Sequence, residues 1–227
     1  MDFKVISIGT LAANPLWGER APARTGHATT TLVASGDKRI LVDPGLPEQA
    51  IVARLSERAN LKPSDITHVF LTSFLPDVRR GLLAFDEATW WISTEERDAV
   101  GGFVAQQLKR MVESGGDPTL RKALENDIAI LKRCQPVPEN LAPRVDVFPM
   151  PGVTPGLCGL LLSGERHTTV VCGDAIPTVE HLEQGKILPM AADVDRARQS
   201  FEEALEVADL LVLGRDNIVV NPTHRPF

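Results

Sequence analysis

Two aspartates follow predicted strands, where side chains from different strands can meet at one edge of a sheet. Asp77 lies in a polar loop after the strand Thr67–Thr72, and Asp174 comes directly after the strand-like run Thr168–Cys172. Carboxylates in such positions can bind a metal ion, or they can simply cap a loop. Ser73 would need a neighbouring base to be a nucleophile, and the sequence around it contains none. From their positions alone, Asp77 and Asp174 could equally face a pocket or cap a loop, and the sequence indicates no catalytic residue.

The five histidines of the chain do not group into a metal-binding set. His68 begins a strand, where an edge or core position is the ordinary expectation for histidine. His167 falls in a predicted hairpin turn, and His224 is three residues from the last residue. His27 precedes a strand and His181 comes shortly after the second aspartate, so either could line the same site. No tetrahedral ligand set can be assembled from these residues.

Composition and charge narrow the class of protein. The chain has 227 residues, 43% of them hydrophobic, a formal net charge of −6 and no tyrosine, so we expect an aliphatic core. Acidic and basic residues are interspersed, which argues against a nucleic-acid partner. No window approaches the ~20 apolar residues that span a bilayer, and the N-terminus does not read as a signal peptide. Three widely spaced cysteines indicate a reducing compartment, and we expect the cytoplasm.

Strand and helix patterns alternate in a way that would position these side chains. The predicted strands are Val5–Ile8, Thr29–Ala34, Arg39–Val42, Thr67–Thr72, Thr89–Ile92, Val145–Phe148, Leu157–Leu162, Thr168–Cys172 and Leu210–Leu213. The predicted helices are Pro47–Ala59, one that starts near Arg79, two between Thr94 and Arg133 that are separated at Gly115–Pro118, and one over about Asp193–Val207. Two sheets packed face to face with helices outside would bury the apolar stripes of these elements.

Four segments give the sequence a resemblance to a known family. They are Leu41–Gly45, which reads Leu-Val-Asp-Pro-Gly, and Thr67–Gly81, Pro151–Gly156 and Val170–Ala175. In this order and spacing they resemble the metallo-β-lactamase superfamily over nearly the whole chain. The resemblance implies an α+β fold, an αββα four-layer sandwich with two mixed β-sheets packed face to face and helices outside. It also implies a single domain over residues 1–227, a helical insertion at about 94–135, and an active site along one edge.

The chain departs from the family at its metal ligands. In the family a strand ends in His-x-His-x-Asp-His, further ligands follow in later loops, and two metals activate a bridging water. The corresponding positions here are Ser73, Leu75, Asp77, Val78, Val153, Asp174 and Arg215. Only the two aspartates keep the ligand type, and the five histidine positions are filled by other residues. The resemblance therefore implies the fold and places a degenerate site at these seven positions.

Three hypotheses for function follow. The first is a catalytically inactive pseudoenzyme that acts as a small-molecule binding or scaffold protein, with no cofactor and with an apolar edge cleft lined by Phe74, Leu75, Val78 and Val153. The second is a hydrolase with one weakly bound divalent metal, held by the two aspartates with His27 or His181. The third is a structural subunit that uses the site edge as a protein interface.

The charge left in the degenerate site leads to one further prediction. Asp77 and Asp174 would converge in this fold without the cations that neutralise them in the family. Two carboxylates ~5 Å apart repel by about 3 kcal/mol at an effective dielectric of ~20. Arg215 fills the last histidine position, and its guanidinium has a planar fork of donors that suits carboxylates. We therefore predict that Arg215 hydrogen-bonds Asp77, Asp174 or both.

Overall fold

Two mixed six-stranded sheets form the centre of the described part of the chain, residues 1–115 and 117–223 of a computed structural model. In each sheet the strands lie in the order of the sequence. The first sheet contains β1 (Asp2–Ser7), β2 (Thr30–Ser35), β3 (Lys38–Val42), β4 (His68–Phe70), β5 (Thr89–Ile92) and β6 (Gln135–Pro136). The second contains β7 (Asn140–Ala142), β8 (Val145–Pro149), β9 (Cys158–Ser163), β10 (Thr168–Val171), β11 (Leu210–Val212) and β12 (Ile218–Val220).

Parallel pairing brings the ends of several strands to one edge. Strands β3, β4, β5 and β6 are parallel neighbours in the first sheet, and β10 and β11 are parallel neighbours in the second. The carboxyl ends of parallel neighbours lie on the same side of a sheet, so the loops that follow β3, β4, β10 and β11 can meet. These loops carry six of the seven candidate site residues, and the seventh, Val153, lies in the loop between β8 and β9.

Five α-helices are α1 (Glu48–Ala59), α2 (Thr94–Ser114), α3 (Pro118–Arg133), α4 (Val179–Gln184) and α5 (Val194–Val207) within the described residues. Three of them begin at side-chain caps, because Ser93, Asp117 and Asp193 each accept a hydrogen bond from a backbone N–H in the first turn. Helix α2 ends at Gly115, whose φ of 66° is a left-handed conformation that glycine adopts at little cost.

The core divides into three apolar layers, as the αββα architecture requires. One layer, which includes Val33, Phe70, Leu160 and Val212, joins residues of both sheets and lies between them. A second packs the outer face of the first sheet against α1 and α3, and a third packs the outer face of the second sheet against α5. Successive strand residues point to opposite faces, so nearly unbroken apolar strands supply two layers at once. The predicted fold class is confirmed.

Some elements differ from the sequence-based expectation. No α-helix starts near Arg79 in the described chain; the segment turns and forms a short 3-10 helix at Leu82–Phe85. The N–H of Gly81 donates to Pro44 O, which holds this segment against the loop after β3. Strands β6, β7 and β12 and helix α4 were not predicted, because two to six residues are too few to show a period. His224 lies outside the described residues.

No helix in the described ranges combines the length and apolar character needed to cross a membrane.

Candidate functional site

Asp43 and Thr72 tie together the ends of two neighbouring strands. Asp43 directly follows β3 with a φ of 51°, a left-handed conformation that a short polar side chain tolerates. Its carboxylate accepts hydrogen bonds from Thr72 N at 2.8 Å and from Thr72 Oγ1 at 2.7 Å, and both residues are fully buried. Asp43 therefore fixes the start of the loop that contains the candidate ligand positions.

Backbone contacts bring the second sheet to the same place. Thr72 O accepts a hydrogen bond from Cys158 N at 3.1 Å, and Gly214 O accepts one from Thr29 N at 2.8 Å. Gly173 has a φ of 50°, and a Cβ on it would lie 2.7 Å from the side-chain oxygen of Thr72. A Cβ on Gly214 would lie 2.2 Å from Gly173 O. Only glycine allows these loops to approach so closely, and the loops after β4, β10 and β11 therefore meet at one edge, as predicted.

Arg215 lies between the two aspartates and binds both of them through two hydrogen bonds each. Its Nε donates to Asp174 Oδ1 at 2.7 Å and its Nη2 to Asp174 Oδ2 at 2.6 Å. Its Nη1 donates to Asp77 Oδ2 at 2.5 Å and its Nη2 to Asp77 Oδ1 at 3.1 Å. All four carboxylate oxygens thus accept from one guanidinium, and the predicted contact of Arg215 is present with both partners.

Burial makes this cluster strongly coupled. The side chains of Arg215 and Asp174 are each 3% exposed, whereas that of Asp77 is 31% exposed and reaches solvent. Burial alone would lower the pKa of Arg215, but the charges and hydrogen bonds of Asp174 and Asp77 outweigh it and raise that pKa. The guanidinium is therefore a permanent cation at this edge.

Asp43 adds a third carboxyl group to the cluster. Burial and the charge of Asp174 raise its pKa to about 7, against the hydrogen bonds from Thr72 and the charge of Arg215, which lower it. Near neutral pH this carboxyl exchanges its proton while Arg215 remains charged. The electrostatic balance of the site edge therefore changes between mildly acidic and neutral conditions.

The remaining degenerate positions lie in the core rather than on an open surface. Val78 is 1% exposed and packs in the layer between the first sheet and α1, and Val153 is 3% exposed and packs in the layer beside α5. Ser73 is fully buried, and its Oγ has no hydrogen-bond partner among the described residues. Leu75 is partly buried against the first of these layers. These four positions are therefore packed against the core or partly covered by it.

The prediction that these apolar residues line an open cleft at the edge is therefore wrong. Phe74, like Val78 and Val153, has a side chain at most 4% exposed, so these groups cannot form the wall of an open cleft. Apolar side chains at a vacated polar site gain more by joining the adjacent core than by facing water. A small polar pocket of about 100 Å³ does reach Arg215, with Asn14 and Trp17 among its lining residues. This volume corresponds to about three water molecules and suits ordered water.

The two candidate histidines are engaged elsewhere. The ring of His27 contacts Ile8 O through Nε2 at 3.1 Å. His181 is 1% exposed, its Nδ1 contacts Thr178 Oγ1 at 2.9 Å, and burial lowers its pKa. Nothing in the described residues brings three or more His, Cys, Asp or Glu side chains together as a metal site.

The donor set does not fit the dinuclear metal site that the resemblance implies. Of the seven candidate positions, only Asp77 and Asp174 have side chains of a type that binds metal in this family. All four of their carboxylate oxygens already accept hydrogen bonds from the guanidinium of Arg215. Two metal ions need several imidazole or carboxylate donors each, and a guanidinium cannot act as a ligand. A metal ion could bind here only after Arg215 had left both aspartates.

One functional contact was not recognised in the sequence. Glu96 is 1% exposed, and its carboxylate accepts hydrogen bonds from Phe74 N at 2.9 Å and from Gly156 N at 3.1 Å. It thereby joins the loop after β4 to the loop before β9. The pattern Ser93-x-x-Glu96 is a capping box by sequence and could have drawn attention to this glutamate. A capping box predicts a bond back to the N-cap, however, and the carboxylate binds two distant loops instead.

Comparisons with known proteins agree with the fold. The sequence matches the profile of the metallo-beta-lactamase superfamily over residues 23–224. This chain therefore belongs to the metallo-β-lactamase superfamily. Among curated proteins, none matches it at a significant level.

Several solved structures have the same fold. A Thermotoga maritima protein assigned to the metallo-beta-lactamases has a TM-score of 0.67 and 18% identity, with 96% of this chain and 98% of that chain covered. AidC, a dizinc quorum-quenching lactonase, has a TM-score of 0.61 and 23% identity, with 82% of this chain and 70% of that chain covered. AiiA of B. thuringiensis has a TM-score of 0.61 and 18% identity, with 90% and 86% covered. At these identities the likeness concerns the fold.

Proposed function

We propose that this chain is a non-catalytic member of its superfamily, a pseudoenzyme that binds a small molecule without a metal ion. The observation that carries the proposal is the position of Arg215, whose guanidinium accounts for all four oxygens of Asp77 and Asp174. A fixed organic cation neutralises the two carboxylates that the fold brings together. It supplies no acidic water and no open coordination position, which are the means by which a metal hydrolase activates its nucleophile.

The packing of the former ligand positions supports the same proposal. A catalytic site of this type needs imidazoles that reach a shared space at the edge. Val78 and Val153 instead belong to two separate core layers, and Ser73 has no base beside it. The chain thus keeps the strand ends that build the site and uses their side chains for stability.

The alternative function, a hydrolase with one metal ion, would require a different position of the Arg215 side chain. Asp77 and Asp174 could together hold a hard cation only if the guanidinium moved away from both, and the rings of His27 and His181 contact Ile8 O and Thr178 Oγ1. Such a movement would replace four charge-assisted hydrogen bonds with metal bonds. A tightly bound stoichiometric metal would therefore show that the arginine is displaced.

The first test measures metal content and zinc-dependent hydrolysis. Elemental analysis of the dialysed protein should find well under one transition metal per chain. Lactone, thioester and phosphodiester probes with added zinc should hydrolyse at the rate of the blank, with a dizinc lactonase such as AidC as the positive control. Turnover that disappears on chelation and returns with zinc would contradict the proposal.

Two variants sharpen this test. Arg215→His restores the last family ligand, and Val78→His restores another, yet neither should bind zinc because an isolated imidazole cannot assemble the site. If either single substitution gave a stoichiometric zinc site, the remaining donors would be closer to a working set than the packing indicates.

A further inference from the structure

A cavity of about 410 Å³ lies between the start of α2, the chain before β7, the end of β8 and the start of α5. Arg215 is not among the residues that line it. Its volume corresponds to about fourteen water molecules at ~30 Å³ each, which is in the range of small-molecule sites. Four of its lining residues are prolines, namely Pro138, Pro149, Pro151 and Pro155. Pyrrolidine rings present no N–H and hold a fixed φ, so these residues form an apolar and preformed wall.

Three charged side chains line the same cavity. They are Glu95 from the first turn of α2, Glu139 from the segment before β7, and Arg196 from the first turn of α5. None of the three side chains makes a hydrogen bond or an ion pair within the part of the chain that the structure describes. An apolar wall with two unpaired acids and one unpaired base is complementary to a ligand that carries both signs of charge.

We propose that this cavity binds an apolar α-amino acid. Glu95 and Glu139 pair with the ammonium group, Arg196 pairs with the carboxylate as a planar two-donor fork, and the proline wall packs against the side chain. A simple carboxylate would meet Arg196 but would be repelled by two glutamates. A simple amine would leave Arg196 unpaired, so the zwitterion satisfies the cavity best.

This inference rests on the proposed function in its binding part, because it names the ligand class of a protein without metal chemistry. The cavity has no residue in common with the cluster of Asp77, Asp174 and Arg215. One face of it is formed by Gly156, Leu157 and Cys158, which follow directly on the loop held by Glu96. Ligand binding here would therefore leave the ion cluster in place.

The test uses three probes with the same indole ring, measured by isothermal titration calorimetry against the whole protein. Tryptophan carries both charges, tryptamine only the ammonium, and indole-3-propionate only the carboxylate. Tryptophan should bind more tightly than either, by roughly tenfold or more, as expected when one charge-assisted contact is missing. Leucine tested beside tryptophan reports the preference for side-chain size.

Substitutions then assign the contacts. Arg196→Ala should remove the advantage of tryptophan over tryptamine, and Glu95→Gln combined with Glu139→Gln should remove its advantage over indole-3-propionate. Arg198→Ala is the matched control, since Arg198 lies two residues further along α5, is exposed, and forms a surface pair with Asp195. Tryptophan binding should be unchanged in this variant. All of these residues are at the surface, so circular dichroism should report native folding.

Two results would overturn the inference. One is the absence of heat with any of the three probes at millimolar concentration. The other is binding that responds equally to Arg196→Ala and to the control Arg198→Ala. Neither result would affect the metal and hydrolysis tests above, and zinc-dependent turnover would leave the amino-acid measurement standing. The two proposals can therefore fail separately.

Discussion

Replacing Arg215 with alanine should be among the most destabilising single changes at this edge. The substitution removes the cation that pairs with Asp174, whose side chain is 3% exposed, and it also removes the partner of Asp77. Asp77 is 31% exposed and can recover water when its partner is lost. Asp174 cannot, so the cost falls mainly on this buried carboxylate.

The size of the effect can be worked from the contacts. A charge pair ~4 Å apart is worth about 4 kcal/mol at an effective dielectric of ~20, and the desolvation of the three groups offsets much of the gain from two such pairs. Truncating one partner of a buried pair typically costs about 3–5 kcal/mol, because the other charge is left unpaired. We therefore expect Arg215→Ala to lower the free energy of unfolding by about 3–5 kcal/mol at pH 7.5.

The assay is urea unfolding followed by circular dichroism at pH 7.5. Adding Asp174→Asn to Arg215→Ala removes the stranded charge and should recover part of the loss. Arg198→Ala, an exposed arginine in a surface pair, should cost under about 0.5 kcal/mol.

Two outcomes would refute this reasoning. Arg215→Ala could prove no more costly than Arg198→Ala, which would mean that the guanidinium stabilises nothing at the site edge. The penalty could also be unaffected by adding Asp174→Asn, which would point to lost packing rather than to an unpaired buried carboxylate.

The other tests of stability concern the two remaining buried carboxyl groups. Asp43 has a pKa of about 7 in the folded state and of about 4 when unfolded, so the folded state loses stability as the pH rises toward 7. Between pH 5 and pH 7.5 the free energy of unfolding of the wild type should therefore fall by about 2.5 kcal/mol relative to that of Asp43→Asn, measured by urea unfolding. A difference that does not change with pH would contradict this. Glu96→Gln replaces one of the carboxylate oxygens that accept from Phe74 N and Gly156 N with an N–H donor, and it should lower the free energy of unfolding by about 2–3 kcal/mol in the same assay. Glu95→Gln, which is exposed on the same helix, should change it by no more than about 0.5 kcal/mol. Equal losses in the two variants would contradict the proposed role of Glu96.

The parts of the fold that could be predicted from sequence are those with long apolar patterns. Strands such as β2 and β9 and helices α1 and α5 have runs or stripes long enough to show their period. Strand β6 consists of Gln135 and Pro136 alone, and it exists because it extends a parallel edge rather than because its residues favour it. Tertiary pairing of this kind leaves no local signal.

At the site, the pairing of the charged side chains could be predicted from sequence, and the burial of the apolar side chains could not. The contact of Arg215 with Asp77 and Asp174 follows from one rule, that buried carboxylates rarely remain unpaired, applied to positions that the family resemblance brings together. The prediction of the residues that line the cleft was wrong, because the local sequence around Phe74 and Val153 does not show which face of each loop is buried. Burial depends on neighbours far away in the chain, such as those of α5 that cover Val153.

These two findings together explain why restoring a metal site would be difficult for this chain. Arg215→His alone removes the cation while the two aspartates remain, so it should first destabilise the edge as the alanine variant does. Val78→His and Val153→His would each place an imidazole in a core layer where the present side chain is at most 3% exposed, and a buried polar group without a partner costs about 1–3 kcal/mol. Each step toward the metal site therefore lowers stability before any metal can bind.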